Sequence, residues 1–154
     1  MPEVEQSSSA WLLHVANNVQ FCIGLHQAAE YIEEPTIHSV PMAPAYCNHV
    51  LFWRDDIIPV VDINLLAGHP ATQSRRFVMV IAYQVQDNAP IEHLAVLLES
   101  APHKIQVNDK DACEIPKTYP ERLKPYVMSL FKYKDEVASV LNIAQMSIGR
   151  IKRV

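Results

Sequence analysis

HVLFWRDDIIPVVDINLL, residues 49–66, reads as a strand, a short charged turn and a second, longer apolar strand. Arg54, Asp55 and Asp56 interrupt an otherwise apolar run. A polar break of that length between two β-rich runs marks a hairpin rather than one long buried element. Pro59 offers no N–H to a ladder, which places its strand at a sheet edge or beside a bulge. Asp62 and Asn64 can each cap a short helical turn through Leu65 and Leu66, and Gly68 is a suitable stop for it.

Working outward, 154 residues of which 49% are hydrophobic make one compact domain, or two small lobes sharing a core. A net charge of -4 argues against a nucleic-acid footprint, which needs a basic face interleaved with aromatics. Cys22, Cys47 and Cys113 are widely spaced and contain no CxxC pair, so buried reduced thiols are expected rather than a disulfide framework or a zinc knuckle. Residues 1–9 are acidic and Ser-rich, unlike a signal peptide, and no apolar run reaches membrane-spanning length. A flexible leader over 1–9, a domain over 10–154 and a cytoplasmic location without direct membrane insertion are the resulting expectations.

Eleven prolines accompany only three glycines, so Asn and Asp must supply the positive φ that tight turns need. Asn17-Asn18, Asp55-Asp56 and Asp87-Asn88 are the candidates. A first strand runs from near Trp11 to Ala16. Val19 to Leu25 then alternates with period two. HQAAEYI, residues 26–32, fits a helical turn leading into a strand, and Glu33-Glu34-Pro35 ends it. The loop HPATQSRR after Gly68 reads as the boundary between two halves. Phe77 to Val85 and Ile91 to Leu98 are buried strands separated by a polar loop. Tyr126 to Phe131 and Val137 to Ile143 form a last hairpin, followed by a short helix through Met146 and a basic tail of Arg150, Lys152 and Arg153 that suits a helix C-terminus.

The two best hairpins share a pattern. In LFWRDDIIPVVDI and LFKYKDEVASVLNI, Leu51-Phe52 corresponds to Leu130-Phe131 and Val61-Asp62-Ile63 to Leu141-Asn142-Ile143, with one extra residue assigned to the second turn. A repeated strand, turn, strand and cap is most simply two similar β lobes, each closing its own small sheet to remove edges.

Leu51-Phe52-Trp53-Arg54-Asp55-Asp56 followed by Ile57-Ile58-Pro59-Val60-Val61-Asp62-Ile63 resembles the hallmark of the CheW-like family, the adaptor domains that couple bacterial chemoreceptors to the histidine kinase CheA. Phe21 to Leu25, Ala28-Ala29-Glu30-Tyr31 and Pro44 match upstream family features, and 97–101 and 126–143 match downstream ones. The likeness covers about Trp11 to Arg150. His49, Asp55 and Met128 stand where the family usually has glycine, and Glu99 stands for an Asp. The resemblance implies a mostly β fold of two five-stranded β-barrel lobes around a shared hydrophobic core, with short helices. It also implies a non-enzymatic signal-transduction adaptor whose partners are a chemoreceptor's cytoplasmic tip and a CheA-type kinase regulatory domain. Its coupling surface would include Ala28, Glu30, Tyr31, Arg54, Asp55 and Asp56.

Against these stand blander roles. Arg54 can pair with Asp55 or Asp56 on the surface, and Glu30 can simply be solvated. The seven histidines have no ligand-pair spacing, and no nucleophile elbow, phosphate loop or carboxylate pair occurs, so no catalytic residue, metal or cofactor is assigned. Asp62 and Glu99 read as strand-end caps. The alternatives are a β-barrel ligand-binding protein or enzyme using the pocket between lobes, and a diverged family member that has lost one partner.

Overall fold

The computed structural model describes residues 7–15, 19–72 and 76–146. Alternating apolar residues produce eleven strands: β1 (Ser7–Val15), β2 (Val19–Gly24), β3 (Ala28–Glu33), β4 (Ile37–Ser39), β5 (His49–Trp53), β6 (Asp56–Val61), β7 (Phe77–Tyr83), β8 (Glu92–Leu98), β9 (His103–Asn108), β10 (Val127–Tyr133) and β11 (Glu136–Leu141). One helix, α1 (Ile63–Leu66), follows β6, and a second helical turn spans 143–146. No helix among the described residues is long and apolar enough to cross a membrane.

Two sheets result. Lobe 1 has the order β10-β11-β2-β1-β9, and lobe 2 the order β3-β7-β8-β6-β5-β4. Lobe 2 thus carries one strand more than the expected five, the three-residue β4 laid along β5. Each lobe is built the same way. A hairpin (β5-β6 or β10-β11) joins a second hairpin (β7-β8 or β1-β2) through a parallel contact, Val60 with Ala95 in lobe 2 and Val140 with Cys22 in lobe 1. The chain crosses between lobes after β2 and after β8. The loop after Gly68 is therefore not the lobe boundary, since β6 and β7 on either side of it belong to one sheet.

Three apolar clusters follow from the period of two. Val78 and Val80 face the interior of lobe 2 with Leu51, Trp53 and Ile58, while Met79, Ile81 and Tyr83 of the same strand face lobe 1. In lobe 1, Ala10 and Leu12 face its interior with Cys22, Ile105 and Ala138, while Leu13 and Val15 join the shared core. Burial on both faces explains why FVMVIAY and HLAVLL are nearly continuous apolar runs.

Other boundaries shift for local reasons. β1 begins at Ser7 rather than near Trp11, because 7–12 pair with β9. β6 lies inside its sheet, yet its ladder to β8 begins only at Val60, so Pro59 sits on a stretch with one partner strand. Both long hairpins have two-residue turns: Trp53 pairs with Asp56, and Tyr133 with Glu136. The second turn holds no extra residue: counted from the turns, Leu51 and Phe52 stand in register with Phe131 and Lys132, not with Leu130 and Phe131. Asn88 and Asp55 take positive φ as expected, but Arg54, Lys134, Glu34 and Met42 do so too. Asn17-Asn18 and the basic tail lie outside the described residues.

Candidate functional site

β3 and the β5-β6 hairpin are not neighbours in the lobe 2 sheet, yet the curl of the sheet brings them together. Trp53 is the last inward-facing residue of β5 and is only 7% exposed. Its Nε1–H donates to Glu30 Oε1 at 3.0 Å, and the same oxygen accepts from Arg54 Nη2 at 3.5 Å. The Arg54 guanidinium lies 4.6 Å over the Trp53 ring, and His93 packs against that ring at 4.7 Å. Glu30 thus anchors a barrel-closing indole and a surface arginine at once. The ion pair is exposed on both sides, so it contributes at most about 1 kcal/mol; its value is to fix where the guanidinium sits.

Of the six residues the sequence put forward, Glu30 and Arg54 are joined in this way, and Arg54 pairs with Glu30 rather than with Asp55 or Asp56. Arg54 (φ 46°) and Asp55 (φ 65°) are the two turn residues, both in the left-handed region, as the tightest hairpin turn requires. Asp56 is not in the turn; it opens β6, exposed and opposite Trp53. Ala28 and Tyr31 point elsewhere, because the register shift between Ala28 and Glu30 turns them to the shared core. Tyr31 stacks on Phe77 with ring centroids 6.1 Å apart, and its hydroxyl is buried without a hydrogen-bond partner among the described residues. Burial, and then the nearby Glu33 carboxylate, push its pKa upward against the opposing Arg76.

The pocket expected between the lobes is a cleft of about 480 Å³, whose lining residues the sequence did not single out. His26 and Gln27, immediately before β3, line one edge; Tyr83 to Asp87 and Ile91 form one wall; Met128 and 141–144 form the other. Val85, Ile91 and Met128 are 43%, 63% and 67% exposed there. The only sequence signal for them was the placing of large apolar residues at the margins of a polar loop and at the start of a hairpin. Trp53 and His93 were also missed as site residues, although Trp53 shares its inward parity with Leu51. Among the described residues no group of three His, Cys, Asp or Glu side chains is arranged to hold a metal ion.

The sequence model of the CheW-like domain matches residues 10–148. In three dimensions the chain is similar to the crystal structure of the scaffolding protein TtCheW from Thermoanaerobacter tengcongensis, with a TM-score of 0.71 over 92% of each chain at 15% identity. That likeness is one of fold. No curated protein matches the chain in sequence.

Proposed function

Because the chain belongs to the CheW-like domain family, we infer that it is a non-enzymatic cytoplasmic adaptor that couples a chemoreceptor to a CheA-type histidine kinase. The observation that carries this reading is the inter-lobe cleft, open to solvent and rimmed by Val85, Ile91 and Met128. An amphipathic helix from the receptor's cytoplasmic tip would lay its apolar face along those side chains, and the polar residues of 84–87 would form the rim. Arg54, in the β5-β6 turn, and Glu30, midway along β3, offer a second contact, with the guanidinium already positioned. Asp55 and Asp56 flank it with two carboxylates, so the kinase regulatory domain would meet a mixed rather than a purely basic tip. Ala28 and Tyr31 act through the packing beneath β3.

Calorimetric titration of the folded chain with a receptor-tip fragment and, separately, with a kinase regulatory domain tests this. Met128→Asp and Ile91→Asp should weaken receptor binding at least tenfold, and Glu30→Ala and Arg54→Ala should weaken one of the two partners without unfolding the chain. Binding of only one parent partner would identify a diverged adaptor. Binding of neither would overturn the proposal.

A further inference from the structure

The methionines among the described residues sit in two kinds of place. Met79 and Met146 are buried in the shared core, where packed side chains keep solvent from their sulfurs. Met42, in the loop between β4 and β5, is fully exposed, and Met128 is 67% exposed on a wall of the inter-lobe cleft. A thioether is an apolar group that a two-electron oxidant turns into a polar one, and exposure decides which sulfur the oxidant reaches.

Met128 owes its position to an irregularity in β10. Val127 stands opposite Leu141 and Ser129 opposite Val140, so Met128 is an extra residue with no partner of its own on β11. A bulge of this kind breaks the ladder locally and re-aims one side chain. Here the side chain joins 141–144 in one wall of the cleft, while the other wall presents the exposed Val85 and Ile91. Met42 lies on lobe 2 and is not among the side chains that line the cleft. The chain thus carries one exposed sulfur inside its candidate docking surface and one outside it.

We propose that Met128 is a modification site, at which oxidation by hydrogen peroxide to methionine sulfoxide releases the partner helix from the inter-lobe cleft. The inference rests on the adaptor reading above and adds control of that same surface. In the step, the Met128 sulfur donates an electron pair to one oxygen of the peroxide. The S–O bond forms as the O–O bond breaks, and the other oxygen leaves as water with both peroxide protons, so sulfur loses two electrons and peroxide gains two. Return takes a dithiol acting through a methionine sulfoxide reductase: the dithiol becomes a disulfide, and the oxygen leaves as water with both thiol protons. In the free chain the sulfoxide is hydrated, because Met128 is exposed, and the fold is not disturbed. Against the apolar face of a docked helix the same oxygen loses its water and gains no donor, so oxidation acts on binding and not on folding. Met79 and Met146 would act on folding instead, and their burial keeps them reduced.

Treating the full chain with hydrogen peroxide and mapping its peptides by mass spectrometry should show an added oxygen at Met42 and at Met128, with Met79 and Met146 unmodified. The near-UV spectrum and Tm should be unchanged. Calorimetric titration with the receptor-tip fragment should show affinity reduced by roughly fivefold or more, and restored by methionine sulfoxide reductase with dithiothreitol. Met42→Leu should keep this response, whereas Met128→Leu, whatever its own affinity, should bind equally before and after treatment. An unmodified Met128, equal affinities of the oxidised and reduced parent, or a loss of binding that persists in Met128→Leu would overturn the proposal. If the reduced parent does not bind the fragment at all, the adaptor reading fails and this control falls with it. A reduced parent that binds, beside an oxidised one that binds as well, removes the control alone.

Discussion

Asp55 shows how a single residue can keep a turn without the residue best suited to it. Its φ of 65° is reached by glycine at no steric cost, tolerated by Asp, and resisted by β-branched side chains. Asp55→Gly should therefore raise stability by up to about 1 kcal/mol, and Asp55→Val should lower it by about 1–2 kcal/mol, both read from urea unfolding. If Val were as stable as Gly, the turn would not have the backbone described. A second prediction at this scale concerns His14. Its folded pKa is lowered by burial first and by His103 second, with Glu136 and Glu99 opposing. The unfolded chain therefore takes up a proton at higher pH than the folded one does. The contribution of neutral His14 is fully present above its unfolded pKa of about 6.5 and is lost as pH falls below that value. The urea midpoint should drop between pH 7.5 and pH 5.5, and drop less in His14→Gln; equal drops would exclude the imidazole as the cause.

At the level of elements, the two long hairpins end in the same device with different degrees of burial. After β6, the Asp62 carboxylate accepts from Asn64 N at 3.1 Å, Thr72 N at 2.9 Å and Thr72 Oγ1 at 2.7 Å, all buried. After β11, Asn142 Oδ1 accepts from Gln145 N at 3.0 Å in an exposed setting. In both, the capping residue's own N–H donates at 2.7 Å to a tyrosine carbonyl, Tyr46 or Tyr126. Asp62→Ala leaves buried donors unpaired and should cost about 3 kcal/mol, whereas Asn142→Ala should cost about 1 kcal/mol. Denaturant melts of the two variants check the order, and a cheaper Asp62→Ala would mean that water replaces the carboxylate. These elements were legible in the sequence because each is set by near neighbours: the alternation in β5 and β6, the charged break, and an Asp ahead of an apolar quartet. The lobe boundary was misplaced for the opposite reason. A Pro-containing polar loop marks a surface connection whatever it connects, and only pairing between residues far apart in sequence decides that β6 and β7 share a sheet. A pocket between the lobes was expected, but its lining was illegible on the same ground, since Val85, Ile91 and Met128 look like any apolar margins of a loop or hairpin until the two lobes are set side by side.

For the molecule as a whole, the largest apolar cluster belongs to neither lobe. Leu13, Phe21 and Ile23 from lobe 1 and Met79, Ile81 and Val96 from lobe 2 are all buried in it, and α1 and the 143–146 turn contribute Ile63, Leu66, Ile143 and Met146. The interior of lobe 1 alone is small, comprising Ala10, Leu12, Cys22, Ile105 and Ala138. A five-stranded sheet with so little apolar volume of its own cannot offset the entropy of ordering its chain, so lobe 1 depends on the contact with lobe 2. The lobes must then unfold together. Trp11 lies in β1 of lobe 1 and Trp53 in β5 of lobe 2, so variants retaining one tryptophan report each lobe separately. Ile81→Val, made in the lobe 2 sheet, removes one methylene from the shared core at a cost of about 0.5–1.5 kcal/mol. If the core is one cooperative unit, the denaturation midpoint read by Trp11 in a Trp53→Phe background should fall by as much as the midpoint read by Trp53 in a Trp11→Phe background. A fall confined to the Trp53 signal would mean that lobe 1 holds its fold independently and that the shared core is a docking surface between two autonomous barrels.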